Sequence, residues 1–471
     1  MFGRISIKHI LFFLLLLVLP ASAKIIRVTL ADGTIRYYTS SQLSGIDIDK
    51  YGQTIVTDYL KQHRDTFNID MGAIEMIDGP VVTDTVMREL TFADENLMTT
   101  RKVVSLNMLY PSIDPSGDSI TLSGAIHIPE EIWTRDTVSS GLIMFNHATV
   151  SNRRECPTNG YLRVESMMLA YYTKPEYIIV ESDFYGFGVT ERFPQAYLYG
   201  LTNAHATIDA LGAARKILAN DSIETGAHLF NAGYSAGGYD AMATQRLVNE
   251  QYADSIKIDH TMAGAGPVDI TLMYDIISEA DSTDYPVAMP LVLVSYNEAA
   301  HLGLKYDEVF QPRIAEKIQD WILSKEYSTA ELNDSIGTPH LTEIFLPSFL
   351  TNSKGERQMK QLMDRFSMVK GWVPSPDNRI FYFHSTGDEI VPHECAESMV
   401  SFLTACGYTS KSLSWLLPSP DLDVNLQYTY IPLLGHISAA ASYARQVQSI
   451  LSAWKKKDEK EKEEKEKEDN Q

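Results

Sequence analysis

The chain of 471 residues is long enough for one large domain with insertions or for two medium-sized domains. Its formal net charge of −21 argues against nucleic acids and anionic membrane surfaces as partners. Its apolar and aromatic content is that of a globular protein with a sizeable core.

Residues 1–23 have the pattern of a cleavable signal peptide. A basic start precedes an apolar run, Ile10 to Leu19, which is too short to span a bilayer. Ala21-Ser22-Ala23 then supplies the small residues that a signal peptidase recognises. An uncleaved anchor is the alternative. We therefore expect a secreted or periplasmic protein that begins at Lys24 and has no integral membrane span.

Residues 24–78 are predicted to be an N-terminal β-hairpin region. Two alternating β-rich runs flank Ala31-Asp32-Gly33-Thr34, which is a hairpin signal. A helix is expected from Lys50 to Phe67. At the other end of the chain, residues 455–471 mix both charge signs with no apolar face, which predicts a disordered tail or a frayed helix.

From about Val103 onward, β-rich runs alternate with helix-like segments, which predicts a mostly parallel sheet flanked by helices. The predicted α/β core comprises residues 79–267 and, with the acid and the histidine, 375–454. The alternation breaks over 268–374, where helical patterns are joined by polar or proline-bearing turns. This stretch is predicted to be a cap inserted into the sheet domain, with an extension of the α/β core as the alternative.

Three cysteines, Cys156, Cys395 and Cys406, leave at least one thiol unpaired or intermolecular. Cys395 and Cys406 are predicted to lie about three turns apart on one helix, too far for a bridge, so any disulfide would use Cys156. The cysteine spacing fits no zinc site, and no phosphate-binding loop is found. We expect no cofactor and no metal.

The stretch from Leu229 to Asp240, "LFNAGYSAGGYD", carries the strongest chemical signal. Gly233-Tyr234-Ser235-Ala236-Gly237 fits the G-x-S-x-G nucleophile elbow between a strand and a helix. The turn exposes the serine hydroxyl, and the glycines let the strand and helix backbones approach. The helix N-terminus offers the N–H of Ala236 to a developing oxyanion. A plain structural turn is the alternative.

A serine nucleophile needs a base and an acid, which follow it along the chain in this fold. Asp388 comes directly after an apolar strand, and His436 comes after another strand and opens a helix of small residues. Glu389, Asp421 and Asp423 are the alternative acids. Asp388 is favoured because it follows its strand closely.

The second oxyanion donor should come from the loop after an early strand. In "LIMFNHATV" the N–H of Ala148 or of Thr149 would take this role. The alternative is that His147 and Thr149 belong to an ordinary turn at the end of a strand.

Six motifs in chain order extend the argument: "FNHAT", "ESDFYGFG", "NAGYSAGG", "AGAGPVDI", "HSTGDEIVP" and "LGHISAA". Between Val103 and Trp454 the chain thereby resembles the α/β-hydrolase superfamily, and more narrowly the secretory lipase family of exported esterases and lipases. The resemblance implies a triad of Ser235, His436 and Asp388, and a cap between the sixth strand and the strand of the acid. Such enzymes often have a glycine after the loop histidine, where this chain has Ala148.

These observations predict an exported serine carboxylester hydrolase that works through an acyl-enzyme, on a small-molecule or lipid ester. A serine exopeptidase of the same fold is the alternative, with Glu279, Asp281 and Glu298 as candidates for binding a substrate amino terminus. A non-catalytic binding protein is a third possibility.

The apolar residues of the predicted cap could line an acyl pocket or form the core of the cap. The candidates are Trp321, Ile322, Phe345, Leu346 and Phe349. We predict that at least one of Phe345 and Phe349, beside the helix-breaking Pro347, lines the pocket.

Overall fold

A computed structural model describes residues 25–29, 33–39, 42–48, 53–58, 64–68, 74–94, 97–159, 163–174 and 176–469. The signal peptide predicted over residues 1–23 lies outside these ranges, as do Ala31 and Asp32 of the predicted hairpin turn. Within the described ranges, none of the helices combines the length and the apolar character that crossing a membrane requires.

The N-terminal region is built from two small antiparallel sheets. The predicted hairpin is confirmed: β1 (Ile25–Thr29) pairs with β2 (Ile35–Thr39). The second sheet contains β3 (Leu43–Ile48), β4 (Gln53–Asp58) and β5 (Arg64–Asn68). Strand β6 (Ile74–Ile77) returns to the first sheet, where it pairs with β1.

The helix expected from Lys50 to Phe67 is therefore wrong, because this stretch contains β4 and most of β5. The run "QTIVTD" of β4 is rich in β-branched residues, which lose side-chain freedom in a helix and pack well in a sheet. Pairing with β3 on one side and β5 on the other satisfies its backbone.

A ten-stranded sheet forms the centre of the protein. Its strands, in chain order, are β7 (Val81–Asp94), β8 (Leu97–Ile113), β9 (Ser119–Pro129), β10 (Gly141–Asn146), β11 (Tyr177–Ser182), β12 (His228–Tyr234), β13 (His260–Gly264), β14 (Ile380–Ser385), β15 (Ser410–Ser412) and β16 (Leu426–Ile431). Their spatial order is β15-β16-β14-β13-β12-β10-β11-β9-β8-β7.

Strands β15 through β11 of this order are parallel, and β9, β8 and β7 continue the sheet as antiparallel strands. The mostly parallel sheet predicted from the sequence is thus confirmed. The long β7 strand was not predicted, because its polar and apolar residues do not alternate regularly.

Fourteen α-helical segments lie within the described part of the chain. They are α1 (Glu130–Trp133), α2 (Arg163–Thr173), α3 (Gly200–Asn220), α4 (Ala236–Leu247), α5 (Ile270–Ala280), α6 (Ala288–Ala299), α7 (Tyr306–Val309), α8 (Pro312–Ala315), α9 (Thr329–Ile336), α10 (Leu341–Ile344), α11 (Pro347–Leu350), α12 (Lys354–Phe366), α13 (Glu394–Ala405) and α14 (His436–Asp469).

The central sheet is covered on both faces, because successive side chains of its strands enter different cores. On β10, Leu142 and Met144 join the core that includes α3 and α4, whereas Ile143 and Phe145 join the core that includes α2 and α14. Strands buried on both faces read as continuous apolar runs, which is what "GLIMF" shows. This packing fixes the strand ends from which the site is built.

Residues 268–374, here called the inserted segment, lie between β13 and β14 and contain α5 through α12. Among the described residues, they contribute no strand to the central sheet. Asp269 caps α5 and Ser328 caps α9, each by accepting a backbone N–H with its side chain. The division of the chain into core and cap remains a proposal.

The charged tail differs from the expected disordered segment, because α14 continues through Asp469. Lysine and glutamate are good helix formers, and oppositely charged pairs four residues apart support the extension. Lys460 lies 3.7 Å from Glu464, and Lys467 lies 3.9 Å from Glu463. The structure therefore has the helical tail that the sequence left as the alternative to disorder.

The three cysteines are unpaired in the structure, with Cys156 and Cys395 buried and Cys406 half-buried. Burial in apolar surroundings raises the pKa of both buried thiols well above the ordinary value. These thiols are therefore protonated and unreactive near neutral pH.

Candidate active site

Ser235 stands in a strained turn between β12 and α4. Its backbone angles are φ 59° and ψ −128°, a region that residues with a side chain rarely adopt. The strain is held in place because the N–H of Ser235 donates to the carbonyl of Gly264 on β13, at 2.8 Å. The turn leaves Ser235 half-buried at the border of a cleft, while its neighbours Tyr234 and Ala236 are buried.

The glycines on either side of Ser235 are required by space. A β-carbon on Gly233 would lie 2.1 Å from the carbonyl oxygen of Gly237, so β12 and α4 could not meet in a tight turn. A β-carbon on Gly237 would lie 2.0 Å from the carbonyl oxygen of Asn146, at the end of β10. The G-x-S-x-G pattern thus brings β12, α4 and β10 together at one point.

His436 and Asp388 reach Ser235 from the ends of two other strands. The Nε2 atom of His436 lies 2.8 Å from the Oγ of Ser235, and its Nδ1 lies 2.7 Å from an Oδ of Asp388. Asp388 follows β14 and His436 follows β16, so all three groups meet at the carboxyl edge of the parallel strands. Ligand sites of open parallel sheets are found at this edge.

The carboxylate of Asp388 is held on both oxygens. One oxygen contacts the imidazole, and the other accepts the N–H groups of Ile390 at 3.0 Å and Val391 at 2.8 Å. Burial by itself raises the pKa of Asp388, but the hydrogen bond and charge interaction with His436 outweigh it. The pKa therefore lies below the usual value for an aspartate.

A second histidine, His384, lies beneath the same carboxylate. Its Nε2 donates to the carbonyl of Val391 at 3.0 Å and is 3.4 Å from Asp388. Burial lowers the pKa of His384 to about 4, so the ring is neutral near pH 7. It therefore adds a dipole beside the carboxylate rather than a competing charge.

The other acids that the sequence left open occupy different places. Glu389 accepts the backbone N–H of His436 at 2.9 Å and so holds the loop rather than the ring. Asp421 pairs with Lys411 at 2.7 Å on the surface, and Asp423 donates its backbone N–H to Asp421. Of the four acids, Asp388 is the one whose carboxylate contacts the imidazole of His436.

The loop after β10, residues 147–150, lies against the start of α4 and is here called the β10 loop. The N–H of Ala148 donates to an Oε of Glu165 at 2.6 Å, so it is already occupied. The N–H of Thr149 has no hydrogen-bond partner among the described residues. Ala236 is the first residue of α4, where backbone N–H groups have no partner within the helix.

An uncharged cleft opens beside Ser235. Thr149 and Ala236 border it, together with residues from the inserted segment and the loop after Asp388. Its lining comprises Thr149, Tyr197, Leu198, Ser235, Ala236, Pro267, Ile270, Met273, Tyr274, Tyr285, Ala288, Met289, Val292, Met363, Ile390 and Val391. Helices α5 and α6 supply six of these sixteen residues.

The prediction that Phe345 or Phe349 lines this cleft is wrong. Both side chains are buried at 2% and 3% exposure, and neither borders Ser235. Phe345 stacks on Phe310 with ring centroids 5.1 Å apart, and Phe349 stacks on Phe345 at 5.9 Å. They belong to the core of the inserted segment, because the stacked rings bury each other's apolar surface within that segment.

The residues of α5 and α6 that do line the cleft were missed by sequence reasoning. The runs "ITLMYDII" and "AMPLVLV" are apolar along most of their length, so no single face could be assigned to substrate rather than to core. Their place in the inserted segment, just after β13, was the available signal.

A comparison with protein-family models gives a match to the secretory lipase family over residues 158–414, which is more than half of the chain. The chain belongs to the secretory lipase family. The matched range includes Ser235 and Asp388 and ends before His436. No curated protein matches the sequence.

Solved structures similar to this secretory lipase family member have the α/β-hydrolase fold. A candidate hydrolase from Legionella pneumophila matches with a TM-score of 0.62 and 19% identity, covering 80% of this chain and 98% of its own. The rice cell wall degrading esterase LipA from Xanthomonas oryzae matches with a TM-score of 0.60 and 19% identity, covering 78% and 95%. Candida antarctica lipase A matches at 0.51 and 14%, covering 75% and 77%. At these identities the likeness supports the fold, and family membership supports a lipase or esterase type of hydrolase.

Proposed function

We propose that the protein is a serine carboxylester hydrolase with Ser235 as nucleophile, His436 as general base and acid, and Asp388 as the residue that orients His436. The observation that carries the proposal is the continuous hydrogen-bonded series Asp388–His436–Ser235, with distances of 2.7 and 2.8 Å. These lengths match those through which a base activates a serine hydroxyl.

The reaction follows from the positions of the three groups. His436 removes the proton as the Oγ of Ser235 attacks the ester carbonyl, and the negative charge develops on the carbonyl oxygen. The imidazolium then gives the proton to the leaving alcohol, which departs and leaves an acyl-enzyme. Water, activated by the same imidazole, hydrolyses this ester and frees the acid.

The negative charge on the substrate oxygen needs donors on the far side of Ser235. We assign this role to the N–H groups of Ala236 and Thr149. The N–H of Ala236 lies at the positive end of α4, and that of Thr149 has no partner in the described part of the chain. Ala148 is set aside because its N–H donates to Glu165.

An apolar acyl group fits the cleft better than a charged peptide terminus does. Among the described residues that line the cleft, none carries a charge. The acids that could have bound a substrate amino terminus, Glu279, Asp281 and Glu298, do not border it. Asp281 instead holds Thr342 through two hydrogen bonds within the inserted segment.

Export of the protein is part of the proposal. Membership of a family of secretory lipases supports it, together with the signal-peptide pattern of residues 1–23. N-terminal sequencing of protein collected outside the cytoplasm should begin at Lys24. An N-terminus at Met1 on such material would contradict cleavage.

Parallel assays test the proposed reaction. Purified protein is given p-nitrophenyl esters of increasing acyl length and, separately, p-nitroanilides of amino acids, with Ser235→Ala as control. We expect ester hydrolysis to exceed amide hydrolysis, and Ser235→Ala to lose about three or more orders of magnitude in turnover. Faster turnover of the amides would favour a peptidase.

A further inference from the structure

Two buried side chains outside the triad hold the β10 loop by its backbone. His147 donates its Nδ1–H to the carbonyl of Ala148 at 2.8 Å, since a carbonyl oxygen can only accept. Glu165 on α2 accepts the N–H of Ala148 at 2.6 Å. The side chains are almost fully buried, with 6% and 2% exposure for the two residues. Both hydrogen-bonding groups of Ala148 are thus fixed.

Fixing the carbonyl of Ala148 also fixes the N–H of Thr149. The two groups belong to one planar trans peptide and point in opposite directions. With the carbonyl turned toward His147, the N–H of Thr149 is turned away from it. Thr149 borders the same cleft as Ser235 and Ala236.

The preceding peptide is restrained in the same way. Glu165 holds the N–H of Ala148, so the carbonyl of His147 points in the opposite direction, toward the start of α4. The position of Gly237 agrees with this, since a β-carbon there would lie 2.8 Å from that carbonyl oxygen. Rotation of either peptide would therefore break a buried hydrogen bond.

The ring of His147 is itself held in place. It packs against Phe184, with ring centroids 4.6 Å apart and a tilt of 42°. Burial lowers the pKa of His147, so the ring is neutral near pH 7 and its single N–H is the one given to Ala148. Glu165 approaches from a different element, α2, so the restraints are independent.

We propose that His147 and Glu165 are positioning residues that aim the N–H of Thr149 at the oxyanion formed during ester hydrolysis. The proposal rests on the proposed function and adds that the orientation of the second donor, the N–H of Thr149, depends on these two side chains. Neither residue lines the cleft beside Ser235.

The test compares kcat and KM for a soluble p-nitrophenyl ester in His147→Ala, His147→Asn, Glu165→Ala and Glu165→Gln. The amide of asparagine can donate where Nδ1 does, and the amide oxygen of glutamine can accept where the carboxylate does. We expect kcat to fall about 10- to 100-fold in the two alanine variants, with KM within about twofold, because the lost interaction forms only in the transition state. The asparagine and glutamine variants should recover most of this loss.

His260→Ala is the matched control for the removal of a buried imidazole. His260 is 0% exposed and begins β13, at the end of the strand opposite to the site. It should lose stability and keep kcat. Each variant is also tested with an alkyl boronic acid, which forms a tetrahedral adduct on the serine, and its inhibition constant should rise in parallel with the loss of kcat.

Three results would overturn the proposal: an unchanged kcat in both alanine variants, an equal fall in His260→Ala, or a rise in KM at constant kcat. If an alanine variant does not fold, a kcat near wild type in Glu165→Gln together with a loss in Glu165→Met, whose similarly long side chain offers only a weakly accepting thioether, supports it, and equal values contradict it. Failure of the proposed function looks different, because Ser235→Ala would then retain the activity.

Discussion

Gly237 lies so close to Asn146 that a β-carbon on the glycine would be 2.0 Å from the asparagine's carbonyl oxygen. Asn146 is the last residue of β10 and is itself anchored by hydrogen bonds to Asn231 and Thr207, at 2.9 and 2.8 Å. The contact brings the β10 loop against the first turn of α4. The second oxyanion donor therefore depends on a glycine two residues after the serine.

Gly237→Ala should disturb both stability and activity. Because the collision is with backbone on an anchored strand, the loop or the helix must move, at a cost of about 1–3 kcal/mol or more. We expect a large fall in kcat as the donors separate. Gly212→Ala on α3 is the control, since nothing lies within 4 Å of its β-carbon. It should be neutral or more stable by about 0.5–1 kcal/mol in urea unfolding. A fully active Gly237→Ala enzyme would refute the close contact.

Asp388→Asn should lower turnover by on the order of 10⁴, the loss seen when a triad aspartate becomes an amide. The amide can still contact His436, but it favours the wrong tautomer and does not stabilise the imidazolium. Glu389→Gln should have a smaller effect, because its oxygen can still accept the N–H of His436. Asp421→Asn should leave turnover unchanged. Equal losses across the three variants would leave the acid unassigned.

We expect the difference in stability between wild type and Asp240→Asn to depend on pH. Burial raises the pKa of Asp240 to about 8, although Asn203 donates to it at 3.1 Å. The folded state therefore keeps a proton that the unfolded chain releases near pH 4. This contribution to stability is complete below that pH and declines by at most about 1.4 kcal/mol per unit as the pH rises to about 8.

Asp240→Asn lacks this titration, so its free energy of unfolding relative to wild type should increase steadily from pH 5 to 8, where the folded-state pKa of Asp240 sets the upper limit. Urea unfolding of both proteins at several pH values measures the difference. A difference that is constant with pH would show that Asp240 is ionised in the folded protein.

The size of the cleft beside Ser235 should determine which acyl length the enzyme prefers. Val292 lines the cleft from α6, so Val292→Phe should shorten the preferred acyl chain by filling the space. Phe349 is packed in the core of the inserted segment, so Phe349→Ala should cost about 3–5 kcal/mol and leave the acyl preference unchanged. Rates across a series of esters, with melting temperatures, separate the two effects. A shift of the preferred acyl length in Phe349→Ala would instead place Phe349 in the acyl pocket.

The parallel strands and the order of Ser235, Asp388 and His436 could be predicted because each leaves a local sequence signal. Buried parallel strands are short apolar runs, and the elbow needs glycines at fixed spacing. The placement of Phe349 and the occupied N–H of Ala148 could not be predicted. Both depend on contacts between different elements: Glu165, which accepts the Ala148 N–H, lies 17 residues further along the chain on α2, and no pattern near "FNHAT" indicates it.

The N-terminal region was the least predictable part. The stretch from Lys50 to Phe67 has no strong period of either kind, so the β-branched residues of β4 were the local signal for a strand, and pairing between β3, β4 and β5 forms the sheet. The disordered tail predicted over residues 455–471 was wrong for a different reason. Its composition permits both disorder and helix, and the continuation from the packed start of α14 decides in favour of helix.

The most direct test of the proposed chemistry is the site of reaction with a fluorophosphonate, read by mass spectrometry of the digested protein. We expect a single adduct on Ser235, and a strongly reduced labelling rate in His436→Ala because the hydroxyl loses its base. An adduct on another residue, or unchanged labelling of Ser235 in the absence of His436, would contradict it.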